Sequence, residues 1–194
     1  CGDPATLIHD IQGSGLASTD VGNIRAVEAV VTATFYGPSQ IGGYFLQEED
    51  ADFDADPMTS EGLRVFDTTN TPGVGELVRI RGSVTEYFSL TELNNVTDFA
   101  ACGSGVATAA NVSLPVSSID ALEAYEGMLV TFPQTLYIAE YFNFDRYGEI
   151  VLSTERQFQP TAVYEPGSPE AAQLLDENLR SRIKLDDGRG GQNP

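Results

Sequence analysis

Positive charge is what this chain most lacks. Among its 194 residues are one lysine, Lys184, nine arginines and one histidine against 29 acidic residues, a net charge of −19. A surface this acidic repels phosphate backbones and suits solvation in a salty medium, so the chain alone reads as a poor nucleic-acid binder. Long apolar runs are also missing. No stretch of about 18 apolar residues exists to span a membrane, and no signal-peptide pattern is visible. With a single histidine, His9, no GxSxG elbow and no fixed Ser or Cys partner, no nucleophilic triad is defined. His9 itself reads as a hydrogen-bonded packing residue. Gly13-Ser14-Gly15 is too short for a phosphate loop, and no GxGxxG follows a strand.

Cysteine is nearly absent too. Cys1 and Cys102 are the only two, far apart and without CxxC spacing. They read as a disulfide rather than a metal site, the alternative being two unrelated buried thiols. A bond would imply folding in an oxidising compartment and would close a loop of about 100 residues, stabilising by roughly 4 kcal/mol in the chain-entropy model. The chain opens abruptly at Cys1 and closes on GRGGQNP, and both ends read as cuts in a longer protein.

What is present is core-forming material. Hydrophobic residues make up 41% of the chain, enough for one large domain or two small ones. Residues 24–36 alternate as a long strand, Gly43 to Gln47 is a second, and Leu63 to Phe66 a third. Residues 77–88 alternate again, with Leu77, Arg79 and Arg81 on one face and Val78 and Ile80 on the other. Gly82 marks a bulge or bend. SLTEL and VTDF supply the return strand. Five such strands point to a small closed or nearly closed barrel over 1–105. Ala100 to Pro115 reads as a connector and Ser118 to Tyr125 as a short helix. Met128 to Phe132, Thr135 to Tyr141 and Glu149 to Ser153 read as further strands, and PTAVYEPGSP as a loop. Pro169 to Arg182 is the clearest helix, with Ser168 as its cap, and Ile183 and Leu185 begin another extended piece. The fold class is therefore mainly β, with a second β-rich unit over 106–194 that has fewer strands than a barrel needs.

The densest chemistry lies between the second and third strands. Glu48, Glu49, Asp50, Asp52, Asp54, Asp56 and Glu61 carry seven negative charges with no Lys or Arg among them. Asp50, Asp52, Asp54 and Asp56 alternate as oxygen ligands do around calcium, and Thr59 and Ser60 add hydroxyls. The match to an EF-hand fails at the glycine position, which is Ala55 or Pro57 depending on register. A hydrated loop and a Ca²⁺ site both remain open. Tyr36, Tyr44, Phe45, Tyr87 and Phe88, with Arg79 and Arg81, offer either a stacking platform for single-stranded nucleic acid or core packing. Tyr141, Phe142, Phe144, Arg146 and Tyr147 form a second aromatic cluster suited to a domain interface.

Several phrases, taken in order, carry a resemblance: CGDPATLIHDIQGSG, VEAVVTATF, GGYFLQEEDADFDADPMTSEGLRVF, LVRIRGSVTEY, LEAYEGMLVTF, RYGEIVLS, RQFQPTAV and RIKLDDG. Together they resemble the region preceding the catalytic domain in large secreted bacterial nucleases of the ExeM/NucH type, a region similar to the OB-like domain of YhcR-type nucleases. The resemblance implies an OB-like barrel before an endonuclease/exonuclease/phosphatase domain, with the catalytic residues and their Mg²⁺ or other divalent ion lying downstream of Pro194. It also implies that the second unit is completed by downstream strands. Leu46-Gln47-Glu48 has the form of that family's metal-binding triplet. The triplet needs an Asp–His pair and further partners, which the lone upstream His9 does not supply. The resulting expectation is a non-catalytic accessory region of a secreted nuclease whose partner is the downstream domain of the same polypeptide. A calcium-stabilised interaction module stands as the alternative, and a self-contained metal-dependent hydrolase ranks last.

Overall fold

The structure, a computed structural model, describes residues 1–54 and 56–192. Ala55, one of the two EF-hand positions considered above, and the end of the tail, 193–194, lie outside the described residues. The chain forms two compact units, one of Cys1–Ala110 with Leu122–Val130 and one of Asn111–Ala121 with Thr131–Pro194.

The first unit is a closed barrel. Its strands are β1 (Ile24–Thr34), β2 (Tyr44–Gln47), β3 (Gly62–Val65), β4 (Glu76–Glu86) and β5 (Thr91–Ser104), joined in the order β1-β2-β3-β5-β4. Every neighbouring pair is antiparallel except β3 and β5, which run parallel. This closed five-stranded arrangement is OB-like. Alternation explains the interior: Val27, Ala29 and Val31 of β1 meet Tyr44 and Leu46 of β2, Leu63 and Val65 of β3, and Val78, Ile80 and Val84 of β4. Each fully buried Val, Leu or Ile among them contributes roughly 1.5–3 kcal/mol. The N-terminal segment supplies a lid to this core. Its helical turn α1 (Ile8–Gln12) places Ile8 and Ile11 in the same cluster, both essentially inaccessible.

Gly82 sits at a register shift between β4 and β5, as its place in the alternation implies. A Cβ there would stand 2.7 Å from the Asn94 carbonyl oxygen, so the close crossing requires glycine. β5 extends to Ser104, further than its composition suggests. The residues from Ala100 on, which read as connector, pair with β4 through Arg79↔Ala100, Val78↔Ala101 and Glu76↔Ser104. A long partner strand overrides weak local propensity there. Cys1 and Cys102 are joined, which ties the first residue to β5 across 101 positions. The segment Leu122–Val130 packs back on the barrel: Ser60 Oγ donates to the Glu126 carbonyl at 2.6 Å, and the Leu129 amide donates to Gln47 Oε1 at 2.9 Å.

The short pair β6 (Ala110–Asn111) and β7 (Val130–Thr131) falls at the boundary between the units, as does a 3-10 helix at Ile119–Tyr125. The second unit holds a three-stranded antiparallel sheet of β8 (Tyr137–Glu140), β9 (Ile150–Ser153) and β10 (Arg182–Leu185), in the order β10-β9-β8. Its helices are α2 (Phe144–Tyr147), α3 (Pro160–Val163) and α4 (Pro169–Arg180). The helix α3 occupies a stretch that reads as loop, and Pro160 at its first position is the local reason it forms. In α4, Ser168 Oγ accepts from the Ala171 amide at 3.1 Å, the cap its sequence calls for. The helix stops at Arg180 rather than Arg182, because Arg182 pairs with Ser153 as the first residue of β10. Few side chains of this unit are buried: Val112, Leu114, Val116 and Ala171 among the hydrophobics. No helix among the described residues is long and apolar enough to cross a membrane.

Candidate functional site

The acidic loop springs from the β2–β3 ladder, whose last pair is Gln47↔Gly62. One step beyond, the Glu48 amide donates to the Glu61 carbonyl at 3.1 Å. Directly opposed residues project from the same face of a ladder, so both carboxylates turn toward α1. Glu48 Oε1 accepts from the Ile8 amide at 2.8 Å, and Glu61 Oε2 lies 3.0 Å from His9 Nδ1. Glu48 is 1% exposed, Glu61 4% and His9 9%. Burial disfavours the imidazolium, but the hydrogen bond to Glu61 and the charges of Glu61, Asp54 and Asp10 outweigh it, so the His9 pKa is raised. Burial pushes the Glu48 carboxyl up to about 7. The Ile8 amide and His9 oppose that rise, and Asp52 and Glu61 add to it.

The four alternating aspartates do not converge. Asp50 is held by Thr108, accepting from its amide at 3.0 Å and its hydroxyl at 2.7 Å, and these bonds lower its pKa. Asp54 Oδ1 accepts from the Asp56 amide at 2.8 Å, and Asp56 Oδ1 from the Met58 amide at 2.9 Å, so both shape the loop's own turns. No hydrogen bond joins Asp52 to the other three among the described residues. Only Asp54 stands near a differently composed group, with its Oδ2 4.0 Å from His9 Nδ1. Among the described residues, His9, Asp54 and Glu61 each offer one ligand atom within 4.8 Å of the others. His9 and Glu61 are 52 positions apart, and neither figures in the calcium set read from the sequence.

The outer face of the barrel carries a second arrangement. Phe45 pairs in register with Arg64. The Phe35 ring meets Phe45 edge-on at 5.8 Å, and the Arg64 guanidinium lies 5.8 Å from the Phe66 ring centre. This makes a row Phe35–Phe45–Arg64–Phe66 on the β2–β3 face. Arg64 is already engaged by Glu92 at 3.6 Å and by the Ile41 carbonyl at 2.9 Å. At the β4–β5 turn, Tyr87 and Phe88 stack edge-to-face at 4.7 Å, with Phe88 89% exposed in a left-handed conformation at φ 52°. Tyr44, placed by sequence among the interface residues, lies wholly within the barrel core, where no partner touches it. Arg79 is bound to Glu28 at 3.3 Å and to the Asp3 and Pro4 carbonyls. With Arg81, Asp98 and Phe99 it lines a groove of about 400 Å³.

In the second unit Tyr141 and Phe142 are largely exposed. Arg146 lies 5.1 Å from the Tyr147 ring centre and is held by Gln192 Oε1 at 3.0 Å. Four residues of the sequence cluster, Phe144 to Tyr147, form α2.

No family model matches the chain, and no curated protein matches it. Among solved structures, the mitochondrial single-stranded DNA-binding protein Rim1 of S. cerevisiae is similar over 44% of this chain and 99% of its own, at 14% identity and a TM-score of 0.31.

Proposed function

We propose that this chain is the non-catalytic, OB-like accessory region of a secreted bacterial nuclease. Its role is to position a downstream metal-dependent phosphodiesterase domain of the same polypeptide. The observation that carries the reading is the closed β1-β2-β3-β5-β4 barrel, built from the phrases that resemble the region preceding such catalytic domains. The Cys1–Cys102 bond supports an oxidising, extracellular setting. The role in nucleic-acid handling is weak guidance rather than capture. The row of Phe35, Phe45 and Phe66 offers stacking surface, but a net charge of −19 opposes a phosphate backbone. The test is to assay the chain alone and joined to the region encoded after Pro194 on DNA and RNA. The chain alone is expected to be inert and the longer protein active. Cleavage by the chain alone refutes the proposal.

A second reading, an interaction module of a secreted or surface assembly, draws on the exposed apolar residues Tyr137, Ile138, Tyr141 and Phe142 of the second unit. Stabilisation by Ca²⁺ at Asp50 to Asp56 belongs to that reading, and a melting-temperature rise in millimolar Ca²⁺ that Asp50→Asn abolishes is its signature.

A further inference from the structure

The stems of the acidic loop hold two buried carboxylates side by side, Glu48 and Glu61, against the helical turn that carries His9. Among the described residues, the ion pairs of Glu61 and Asp54 run to His9, and no Lys or Arg pairs with Glu48, Asp52, Asp54 or Glu61. One imidazolium offsets at most one of these charges. Asp52 and Asp54 are exposed and Glu61 is paired with His9, so the cost of burying an unpaired carboxylate falls on Glu48. Glu48 Oε2, fully buried, has no hydrogen-bond partner.

We propose that this cluster is a binding site for a divalent transition-metal ion, with His9 Nδ1, Glu61 Oε2 and Asp54 Oδ2 as its protein ligands and Glu48 as the buried carboxylate beside them. The three donors already converge, with Nδ1 3.0 Å from Glu61 Oε2 and 4.0 Å from Asp54 Oδ2. Metal–donor bonds of about 2.1 Å set neighbouring donors roughly 3.0 Å apart in an octahedron and roughly 3.4 Å apart in a tetrahedron. All three donor atoms lie within 4.8 Å of one another, so side-chain adjustments of roughly 1–2 Å close the site. The donor set selects the ion. An imidazole nitrogen suits Zn²⁺ and its neighbours in the transition series, whereas Ca²⁺ takes oxygen ligands throughout.

Glu61, when ionised, only accepts, so the proton between it and His9 resides on Nδ1. A metal bound at Nδ1 displaces that proton to solvent, and affinity falls as pH falls. The added positive charge also offsets Glu48 without a new hydrogen bond. Of the alternating aspartates only Asp54 takes part, since its Oδ2 lies 4.0 Å from His9 Nδ1; that oxygen also accepts from Thr59 Oγ1 at 2.9 Å, a bond the metal would share or replace. The inference concerns this chain alone and stands or falls independently of any catalytic domain.

The test uses the whole chain, stripped with a chelator and dialysed. It is titrated calorimetrically near neutral pH with ZnCl₂, MnCl₂ and CaCl₂, and with CoCl₂ followed by visible absorption. One equivalent of Zn²⁺ is expected to bind with proton release, and Co²⁺ to give a ligand-field band. Affinity is expected to fall by about tenfold or more in His9→Asn and Asp54→Asn and to be unchanged in Asp50→Asn and Asp56→Asn. Asp54 lies at the rim, so its variant leaves the buried His9–Glu61 pair in place and keeps the test valid where His9→Asn destabilises the fold. Absence of saturable binding overturns the proposal. So does affinity undiminished in Asp54→Asn, or Ca²⁺ binding that exceeds Zn²⁺ binding and is lost in Asp50→Asn.

Discussion

Replacing Glu48 by glutamine keeps the shape of the side chain and removes its charge. In the metal-free protein burial lifts the Glu48 pKa from 4.5 to about 7. A carboxyl whose folded-state pKa lies above its unfolded value holds more protons folded than unfolded between those two values. Folding stability is therefore lost as pH rises through that window. The rise from 4.5 to about 7, at about 1.4 kcal/mol for each tenfold change in proton affinity, makes the full loss about 3 kcal/mol. About 2.5 kcal/mol of it falls between pH 5 and pH 8. The charged neighbours are Asp52 and Glu61, which raise the pKa, and His9, which lowers it with the Ile8 amide. All remain in the variant. Glu48→Gln is thus expected to gain about 2–3 kcal/mol over the wild type on going from pH 5 to pH 8. Comparing the two pH values cancels the constant cost of packing an amide beside the Ile8 N–H. Urea denaturation with a chelator present measures the difference. The lower limit of pH 5 keeps the protein clear of its isoelectric point near 4.1, where solubility is least. Parallel stability profiles for the two proteins would falsify the reasoning.

Three further predictions follow from packing and linkage. A methyl on Gly62 would overlap the backbone of Gly127 and Met128 and stand 2.7 Å from the Glu126 carbonyl oxygen, so Gly62→Ala is expected to destabilise by about 3 kcal/mol or more in urea titration. Reduction of the Cys1–Cys102 bond, which spans 101 positions, is expected to cost roughly 4 kcal/mol, read as the drop in unfolding free energy on adding reductant. Phe88→Ala at an 89% exposed ring is expected to change stability by less than about 0.5 kcal/mol. The same variant is expected to weaken the binding of single-stranded DNA by the chain, measured by fluorescence anisotropy at a salt concentration that screens the acidic surface.

The barrel was legible chiefly from its long strands, where one face is more buried than the other and alternation of 2.0 survives in the sequence; β2 and β3 are buried on both faces and show it less. Residues 24–34 and 76–86 show it plainly, and the helix α4 announces itself through Ser168, Pro169 and Glu170. Tyr44 is instructive. Its aromatic character suggested a surface role, yet Tyr44 and Leu46 occupy the same phase of β2 while Phe45 occupies the other, so the pattern already placed it inside. The end of β5 was not legible, because Ala, Gly and Ser there follow their partner strand rather than their own propensity. The convergence of His9 with Glu61 is a long-range contact that no local pattern encodes. A trace of it existed in the loop stems, since pairing Gln47 with Gly62 obliges Glu48 and Glu61 to share a face.

The bond from the first residue to β5 has a topological result. All of β1 to β4 lies between Cys1 and Cys102, so the barrel strands are threaded on one covalent ring. A protease that nicks the exposed acidic loop between Asp50 and Asp56 opens the ring at one point and releases nothing. The two pieces stay joined, and the N-terminal piece with α1, β1 and β2 remains beside its partner strands, as in a circularly permuted chain whose new ends lie in the loop. Such a barrel stays in one covalent piece after a single cut within its acidic loop.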